Sequence, residues 1–383
     1  MIGLTWICAL VFWFSAWLVV YTFGGYALLV TILACLVRHP IRVMPITPAI
    51  TLIISAYNEQ AVIAQKLDNA LAVDYPRGLL EIIVVADGSD DRTCEIVQQY
   101  ASRGVRLLHQ PERRGKIAAM NRAATFASGA VLVFSDADAM LELQSIRALV
   151  ANLGDPQVAC VGGVKRIRGA ASVQAKGESA YWRYEAYLKK LDSTINTAIG
   201  AIGELFAIRR ELWRPMDDDL LVEDFVLTMR LVERGWRVVY EPNAITWQEA
   251  SPSLRGEWRR SVRVAAGGFQ AIGRLKGMLN PLRGFAAIQY ISHKVLRWLS
   301  PFFMVAAFVA NVGLMHLEFY RWLLVAQVTF YVLALLGFVL QHFRIRVWLL
   351  QVPFYFCFAN ATSLAGFWRY VTGSQPVTWE KAR

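Results

Sequence analysis

The stretch Val131–Met140, VLVFSDADAM, decides the reading of this chain. Four apolar residues in a row, Val131 to Phe134, are rich in β-branched and aromatic types and suit a strand buried on both faces. Ser135-Asp136-Ala137-Asp138 follows, so two carboxylates sit one residue apart where that strand stops. In an open α/β sheet, ligands bind outside the carboxyl ends of the strands. Carboxylates so close repel unless positive charge lies between them, and a divalent cation carrying phosphates supplies it. A bare D-x-D also describes a polar loop with two solvated aspartates, so its neighbours carry the decision.

Upstream, the same pattern recurs. Ile50–Ile54 is a buried strand that runs into Ser55-Ala-Tyr-Asn-Glu59 and a helix over Ala61–Ala72. Glu81–Ala86 is a second strand, followed by Asp87-Gly-Ser-Asp-Asp91 and a helix to about Ser102. Val105–Leu108 is a third, and Gly115–Ala127 a helix. Strand, loop and helix repeated at this spacing predict an α/β domain with a mostly parallel sheet covered by helices on both faces. Further on, Glu223-Asp224 precedes Phe225, Leu227 and Leu231, the buried stripe of a helix. Carboxylates at a helix start serve as caps or as chemistry, and the pair alone does not choose between them.

The chain of 383 residues is 56% hydrophobic and 18% charged, with 13 Trp and a net charge of +11. Its mean hydropathy is +0.38. That is too apolar for an ordinary soluble enzyme and too charged for a bare membrane bundle, so a soluble domain joined to membrane segments is expected. Leu4–Val37 holds 34 residues without a charge. As a helix it would be about 50 Å long against a hydrocarbon core of roughly 30 Å. One tilted span with an interfacial extension fits better than two, Gly24-Gly25 being its weak point. The run is too long for a signal peptide and shows no small-residue cleavage site. Arg38 and Arg42 place the downstream side in the cytoplasm. Trp298–Met315 and Trp322–Leu340 read as two more spans. Val347–Phe367 spans, re-enters or lies in the interface, and we favour a segment that does not cross. Between Arg255 and Arg297 nine Lys/Arg face one acid, Glu257, and carry +8 of the net +11. Beside apolar spans, such a stretch points to anionic headgroups or phosphates rather than nucleic acid. The five cysteines show no metal or disulfide spacing.

In order and spacing these features resemble the membrane-integrated family 2 glycosyltransferases: the synthases of cellulose, chitin, hyaluronan and poly-N-acetylglucosamine, and the ceramide glucosyltransferases. The resemblance covers nearly the whole chain. It implies a GT-A fold (Rossmann-like), a nucleotide-sugar donor, a divalent metal (Mg²⁺ or Mn²⁺) and inversion at the anomeric carbon. It divides the chain into an N-terminal transmembrane helix (1–37), a linker (38–48), the GT-A domain (49–254), basic interfacial helices (255–297), two transmembrane helices (298–340) and a membrane-associated segment with tail (341–383). Tyr57 would stack on the base and Glu59 bond to it. Asp87 would lie near uridine. Lys116, in a G-K-x-x-x-x-N element ending at Asn121, would reach a phosphate. Asp136 would face the nucleotide and, with Asp138, the metal. Asp224 would be the general base with Glu223 its neighbour. Gly203, Glu204 and Leu205 would form the acceptor-side loop, near Tyr181-Trp182.

The family's basic signature is Q/R-x-x-R-W, and here Arg260-Ser-Val-Arg263-Val264 stands in its place. Both arginines can hold a diphosphate, or form a solvated or lipid-facing helix, but Val264 replaces a Trp that borders the acceptor path of polymerising members. The tail Trp379-Glu-Lys-Ala-Arg383 faintly resembles the W-x-x-R element that closes over the donor, or is a solvated basic end. The expected protein is an inner-membrane, multi-pass glycosyltransferase with its catalytic face in the cytoplasm. It would move a sugar, from a UDP-sugar, to a lipid or lipid-linked saccharide in polysaccharide or glycolipid synthesis. A processive synthase-exporter and a non-catalytic export subunit are the alternatives.

Overall fold

A computed structural model describes residues 2–168, 173–249, 253–343 and 347–378. The chain divides into two compact units. One comprises residues 30–252, 273–287 and 376–383, the other residues 1–29, 253–272 and 288–375.

The first unit is built on an eight-stranded sheet. Its strands are β1 Ile50–Ala56, β2 Leu80–Asp87, β3 Val105–Gln110, β4 Val131–Asp136, β5 Met140–Leu141, β6 Val158–Arg168, β7 Leu205–Arg209 and β8 Arg237–Glu249. Their order is β3-β2-β1-β4-β7-β6-β8-β5. The half read from sequence, β3-β2-β1-β4, is all parallel. β7 then runs antiparallel to β4 and to β6, while β6 and β8 are parallel. Unbroken aliphatic runs explain the parallel half. Leu52, Ile53 and Ile54, with Val84, Val85, Leu132 and Val133, are fully buried, as strands covered on both faces require.

Helices flank the sheet where the apolar period changes from two to nearly four. In chain order the helices are α1 Ile2–Val20, α2 Tyr26–Leu36, α3 Ile63–Ala72, α4 Thr93–Gln98, α5 Lys116–Phe126, α6 Ser145–Asn152, α7 Val173–Ile195 and α8 Glu223–Glu233. In α3, Ile63, Leu67 and Ala70 form a stripe buried in the core. α5 and α8 begin at the residues the site needs, Lys116 and Glu223.

The second unit is helical. It contains α1, most of α9 Leu254–Arg274, and α10 Phe285–Tyr290 in its final turn. It also holds α11 Leu296–Gly313, α12 Glu318–His342 and α13 Trp348–Val371. Among the described residues, three helical stretches are long and apolar enough to cross a membrane: Gly3–Leu36, Phe285–Gly313 and Glu318–Gln341. The first is one continuous helix, as expected, and its weak point is real: a π-helical turn, Tyr21–Gly25, joins α1 to α2. A second π turn, Ile291–Val295, precedes α11. The two meet, with the Tyr21 hydroxyl 2.9 Å from Ser292 Oγ and the Tyr26 and His293 rings 5.8 Å apart. Small residues set the tight helix crossings in this unit. A Cβ on Gly268 would collide with the Trp298 ring, and one on Gly366 would fall 2.6 Å from the Ala265 methyl group. α13 packs on α12 and α11 through Phe338–Phe354 and Phe302–Phe367.

Candidate active site

The carboxyl ends of β1, β2 and β4 converge on one edge of the sheet, and the acidic residues named from sequence lie along it. β4 delivers Asp136 at its last position, beside Ser55 of β1. Across the edge, α8 opens with Glu223 and Asp224 in its first turn. Lys116, first residue of α5, joins the two sides. Its ammonium lies 2.6 Å from Asp136 Oδ1 and 3.2 Å from Glu223 Oε1, and donates to the Gly203 carbonyl at 3.4 Å. Lys116 is therefore an ion-pair bridge in this arrangement, and a phosphate would have to compete with carboxylates for it.

Gly203 lets the loop before β7 lie flat against the start of α8. A Cβ there would sit 3.1 Å from Asp224 Oδ2 and 3.5 Å from Lys116 Nζ. Two further contacts fix the loop. The Ala201 N–H donates to Thr228 Oγ1 at 3.3 Å, and Lys189 Nζ donates to the Ala201 carbonyl at 3.1 Å. Glu204 is ion-paired with Lys165 at 2.8 Å, and that ammonium lies 5.0 Å from the centre of the Trp182 ring. Leu205 differs from the expectation: its side chain is fully buried in the sheet core, because β7 begins there and its first position faces inward.

Crowding of charge in a buried site sets the protonation of these groups. Burial pushes Asp224 up to about 6, with Glu223 adding to the rise and Lys116 opposing it. Burial likewise pushes Asp136 up to about 6 against the pull of Lys116. Burial acts on Glu204 in the same sense, but Lys165 outweighs it and holds that carboxyl down at about 2. Lys116 is held above its ordinary value by Asp136, Glu223 and Asp224 despite its burial. Two carboxyls poised near 6 and one fixed as an anion make a division of labour typical of acid–base sites.

Asp138 lies two residues past the end of β4, and one of its oxygens accepts a hydrogen bond of 2.6 Å from Gln248 Nε2 on β8. Beneath this turn lies Lys66, wholly buried on α3. Its amine donates to Ser135 Oγ at 2.7 Å and to the Ala139 carbonyl, gripping the turn on either side of the two aspartates. Burial brings Lys66 down to about 7 against the pull of Asp136 and Asp138.

On the nucleoside side, Asp87 is turned inward. Its carboxylate accepts from the Arg114 N–H at 3.1 Å and from the Gly115 N–H at 2.6 Å, so it shapes the turn into α5. Tyr57 carries the Arg113 guanidinium 3.6 Å above its ring centre. Asn58, at φ 53°, and Glu59 are pinned to the loop after β2. There the Asn58 Nδ2 donates to Asp90 and the Glu59 N–H donates to Thr93 Oγ1. Asn121 grips the backbone of Met216 through both its amide atoms, at 2.8 and 3.0 Å. Asp217 and Asp218 follow in a loop closed by Arg230, Arg274 and Arg114. The described end of the tail reaches the same place. Val377 and Thr378 lie 3.6 and 3.8 Å from where a Cβ on Gly115 would be. Trp379–Arg383, with the W-x-x-R resemblance, lie outside the described residues. Arg260 and Arg263 are on α9 in the helical unit, and the exposed Val264 follows Arg263.

Lys66, Lys165, Lys189, Gln248 and the acidic loop escaped the sequence reading. Lys66 left a trace: a charged residue on the Ile63–Leu67–Ala70 stripe that must be buried. The others are brought to the site by long-range pairing and leave no local signal.

The architecture is that of GT-A glycosyltransferases. It superposes on a mannosyltransferase of Pyrobaculum calidifontis, crystallised with GDP-Man and Mn²⁺, with a TM-score of 0.73 and 24% identity, over 95% of this chain and 100% of that one. Residues 48–267 match the family described as Glycosyltransferase like family 2, and the chain belongs to that family. It is 30% identical over 234 residues to a poly-β-1,6-N-acetyl-D-glucosamine synthase of Staphylococcus aureus strain COL, and 26% identical to that of Staphylococcus epidermidis. The match takes in 59% of this chain and 56% of each relative, so the chain spans little more than half the length of these curated relatives. It is a family 2 glycosyltransferase related to polysaccharide synthases.

Proposed function

We propose that this enzyme transfers a sugar, with inversion, from a UDP-sugar to a hydroxyl of a lipid or lipid-linked saccharide at the cytoplasmic surface of the inner membrane. One observation carries the proposal. The single ammonium of Lys116 pairs with Asp136 at 2.6 Å and with Glu223 at 3.2 Å, and Asp224, pushed up to about 6, stands next to Glu223 in the first turn of α8. An acceptor hydroxyl is a poor nucleophile, and a positioned carboxylate that takes its proton contributes about 10²–10⁴-fold. Asp224 is that base in our reading, with Glu223 tuning it. The acceptor enters beside Gly203 and Glu204, with Trp182 as an apolar wall. No covalent nucleophile is required, which is why inversion follows.

The residues present fit a divalent cation, Mg²⁺ or Mn²⁺. Among the described residues no three His, Cys, Asp or Glu form a closed metal cage. Asp136 and Asp138 offer two carboxylates, the number that suits an ion whose other positions go to water and substrate phosphates. Bound there, the ion supplies electrostatic stabilisation of the leaving diphosphate. Lys116 then stays with Glu223 or turns to phosphate, and Gln248 keeps Asp138 aimed. Tyr57 and Glu59 receive the nucleoside, while Asp87 holds the turn that presents Lys116.

In our reading α13, Trp348–Val371, does not cross the membrane.

The kinship to a synthase of a β-1,6-linked polymer favours a second reading, processive synthesis, against which Val264 stands. A UDP-release screen of donors on purified membranes, with mass spectrometry of extracted lipids and gels of product length, tests both. Long polymer would replace single transfer by the second reading. Asp224→Asn is expected to abolish release while retaining UDP binding, and normal turnover in that variant would sink the assignment.

A further inference from the structure

A pocket lies at the opposite end of the sheet from the carboxylates, where β6 and β8 begin at Val158 and Arg237. It is an open depression of about 740 Å³ lined by His39, Gln157, Asn196, Arg234, Trp236 and Arg237 among others. The volume is that of a small-molecule site. Among the described residues no carboxylate lines it. The local sequence explains its shape. α8 stops at Glu233, Gly235 turns the chain at φ 88°, and Arg234 and Trp236 are left projecting on either side of that glycine. Arg237 forms the floor. It donates to the carbonyls of Asn196 at 2.9 Å, His39 at 3.0 Å and Ser193 at 3.3 Å. These bonds go to carbonyls; the Asp155 carboxylate attracts the guanidinium without a hydrogen bond to it, so its charge is offset only in part. The Arg234 side chain is exposed and forms no ion pair among the described residues.

The pocket is also tied to the membrane-facing helix. The His39 N–H donates to the Thr194 carbonyl at 2.9 Å, which fixes the linker against α7. His39 lies three residues past Leu36, the last residue of an apolar stretch long enough to span a bilayer. At about 3.8 Å per residue the pocket wall is within about 11 Å of that end. Arg, His and an amphipathic Trp grouped beside the end of such a helix offer the recognition chemistry of a phosphate at a membrane surface, where the cytoplasmic leaflet is anionic.

We propose that this pocket binds the phosphate headgroup of an anionic phospholipid and seats the transferase domain on the bilayer. Arg234 and Arg237 contact the phosphate, and Trp236 covers the glycerol backbone. The proposal rests on the membrane reading of Gly3–Leu36 and is independent of the transfer chemistry at the other end of the sheet.

The test uses the full-length protein, delipidated in a neutral detergent and incubated with phosphatidylglycerol or phosphatidylcholine. Native mass spectrometry counts retained lipid. Wild type is expected to retain phosphatidylglycerol over phosphatidylcholine, and Arg234→Glu to lower the retained fraction at least fivefold. Arg103→Gln, which removes a distant exposed charge, should leave it unchanged. Thermal unfolding of Arg234→Glu within a few degrees of wild type shows that the variant is folded, and Trp236→Ala provides a second, charge-neutral disruption. Equal retention by wild type and both pocket variants overturns the proposal. So does displacement of phosphatidylglycerol by millimolar inorganic phosphate, which would make the pocket a site for free phosphate.

Discussion

Replacing Lys116 with methionine asks whether one ammonium holds both halves of the catalytic edge. Methionine keeps the length of the side chain and removes its charge. Lys116 is 15% exposed, 2.6 Å from Asp136 and 3.2 Å from Glu223. With an effective dielectric of about 20, these contacts represent about 6 and about 5 kcal/mol of gross attraction. Water entering the gap and relief of desolvation offset most of this, and breaking a buried pair leaves a net cost of about 3–5 kcal/mol. Divided between the donor-side and base-side carboxylates, that is about 2 kcal/mol each, or about 1.5 pH units at about 1.36 kcal/mol per unit. Asp136, near 6 in the native site, should then titrate between about 7 and 8, and Asp224, also near 6 and also held down by Lys116, should rise in the same direction. Both act ionised in the proposed reaction, so activity is lost on the acid side and recovered as pH rises. The acid limb of kcat/KM for UDP release, which reports the free enzyme, should move up by more than one pH unit. Stability has the matching sign. A carboxyl whose folded pKa exceeds its unfolded value binds its proton preferentially in the folded state. Its penalty is absent at low pH and grows as pH rises from the unfolded value towards the folded pKa. The Tm deficit of Lys116→Met should therefore be larger at pH 8 than at pH 5. An acid limb that stays near 6, with a Tm deficit independent of pH, would refute the shared counter-ion.

Three other outcomes follow from single contacts. Asp138→Ala should remove the metal-dependent part of UDP binding, seen by calorimetry with and without Mn²⁺; unchanged binding would place the cation elsewhere. Gln248→Leu deletes the 2.6 Å hydrogen bond that orients Asp138 and should weaken Mn²⁺–UDP binding about 10- to 100-fold, as loss of a ligand's supporting hydrogen bond commonly does. Gly203→Ala puts a methyl group 3.1 Å from Asp224 Oδ2 and should lower kcat about 10- to 100-fold while UDP affinity holds, since it presses on the base and meets Lys116 only at an ordinary contact of 3.5 Å. A proportionate loss of UDP affinity in Gly203→Ala would show the loop serving the donor instead.

The parallel half of the sheet was legible because each strand is a short aliphatic run, rich in β-branched residues, that ends at its functional residue: Ile50–Ile54 before Tyr57, Ile82–Val85 before Asp87, Val131–Phe134 before Asp136. Fully buried parallel strands carry their own signature. The other half was not. β6 passes through Gly162-Gly163 with a register shift, and β7 holds its place only by pairing antiparallel to β4 and β6. Such pairings are decided by residues far away in sequence. The site divides in the same way. Asp136, Asp138, Glu223 and Asp224 stand at element ends and could be named from sequence, whereas Lys165 and Gln248 become part of the site only through strand register. Leu205 shows the cost of carrying a motif over as a block: one residue past the loop, the side chain has already turned into the core.

Buried contacts link the donor and acceptor sides in a line that has its own logic. Lys66 donates to Ser135 Oγ, and the Ser135 hydroxyl donates to the Glu204 carbonyl at 3.2 Å. Glu204 pairs with Lys165, which lies over Trp182. The turn bearing Asp136 and Asp138 and the loop bearing Gly203 thus share one hydrogen-bonded frame, and each is aimed before substrate arrives. A lysine at position 66 suits that frame better than an arginine would. Its amine, brought to about 7 by burial, can lose a proton and still donate to both Ser135 and Ala139. A guanidinium could not lose its charge and would set a permanent cation beneath the two aspartates. The residue type at the base of the turn is therefore consistent with a site whose upper face is left for positive charge.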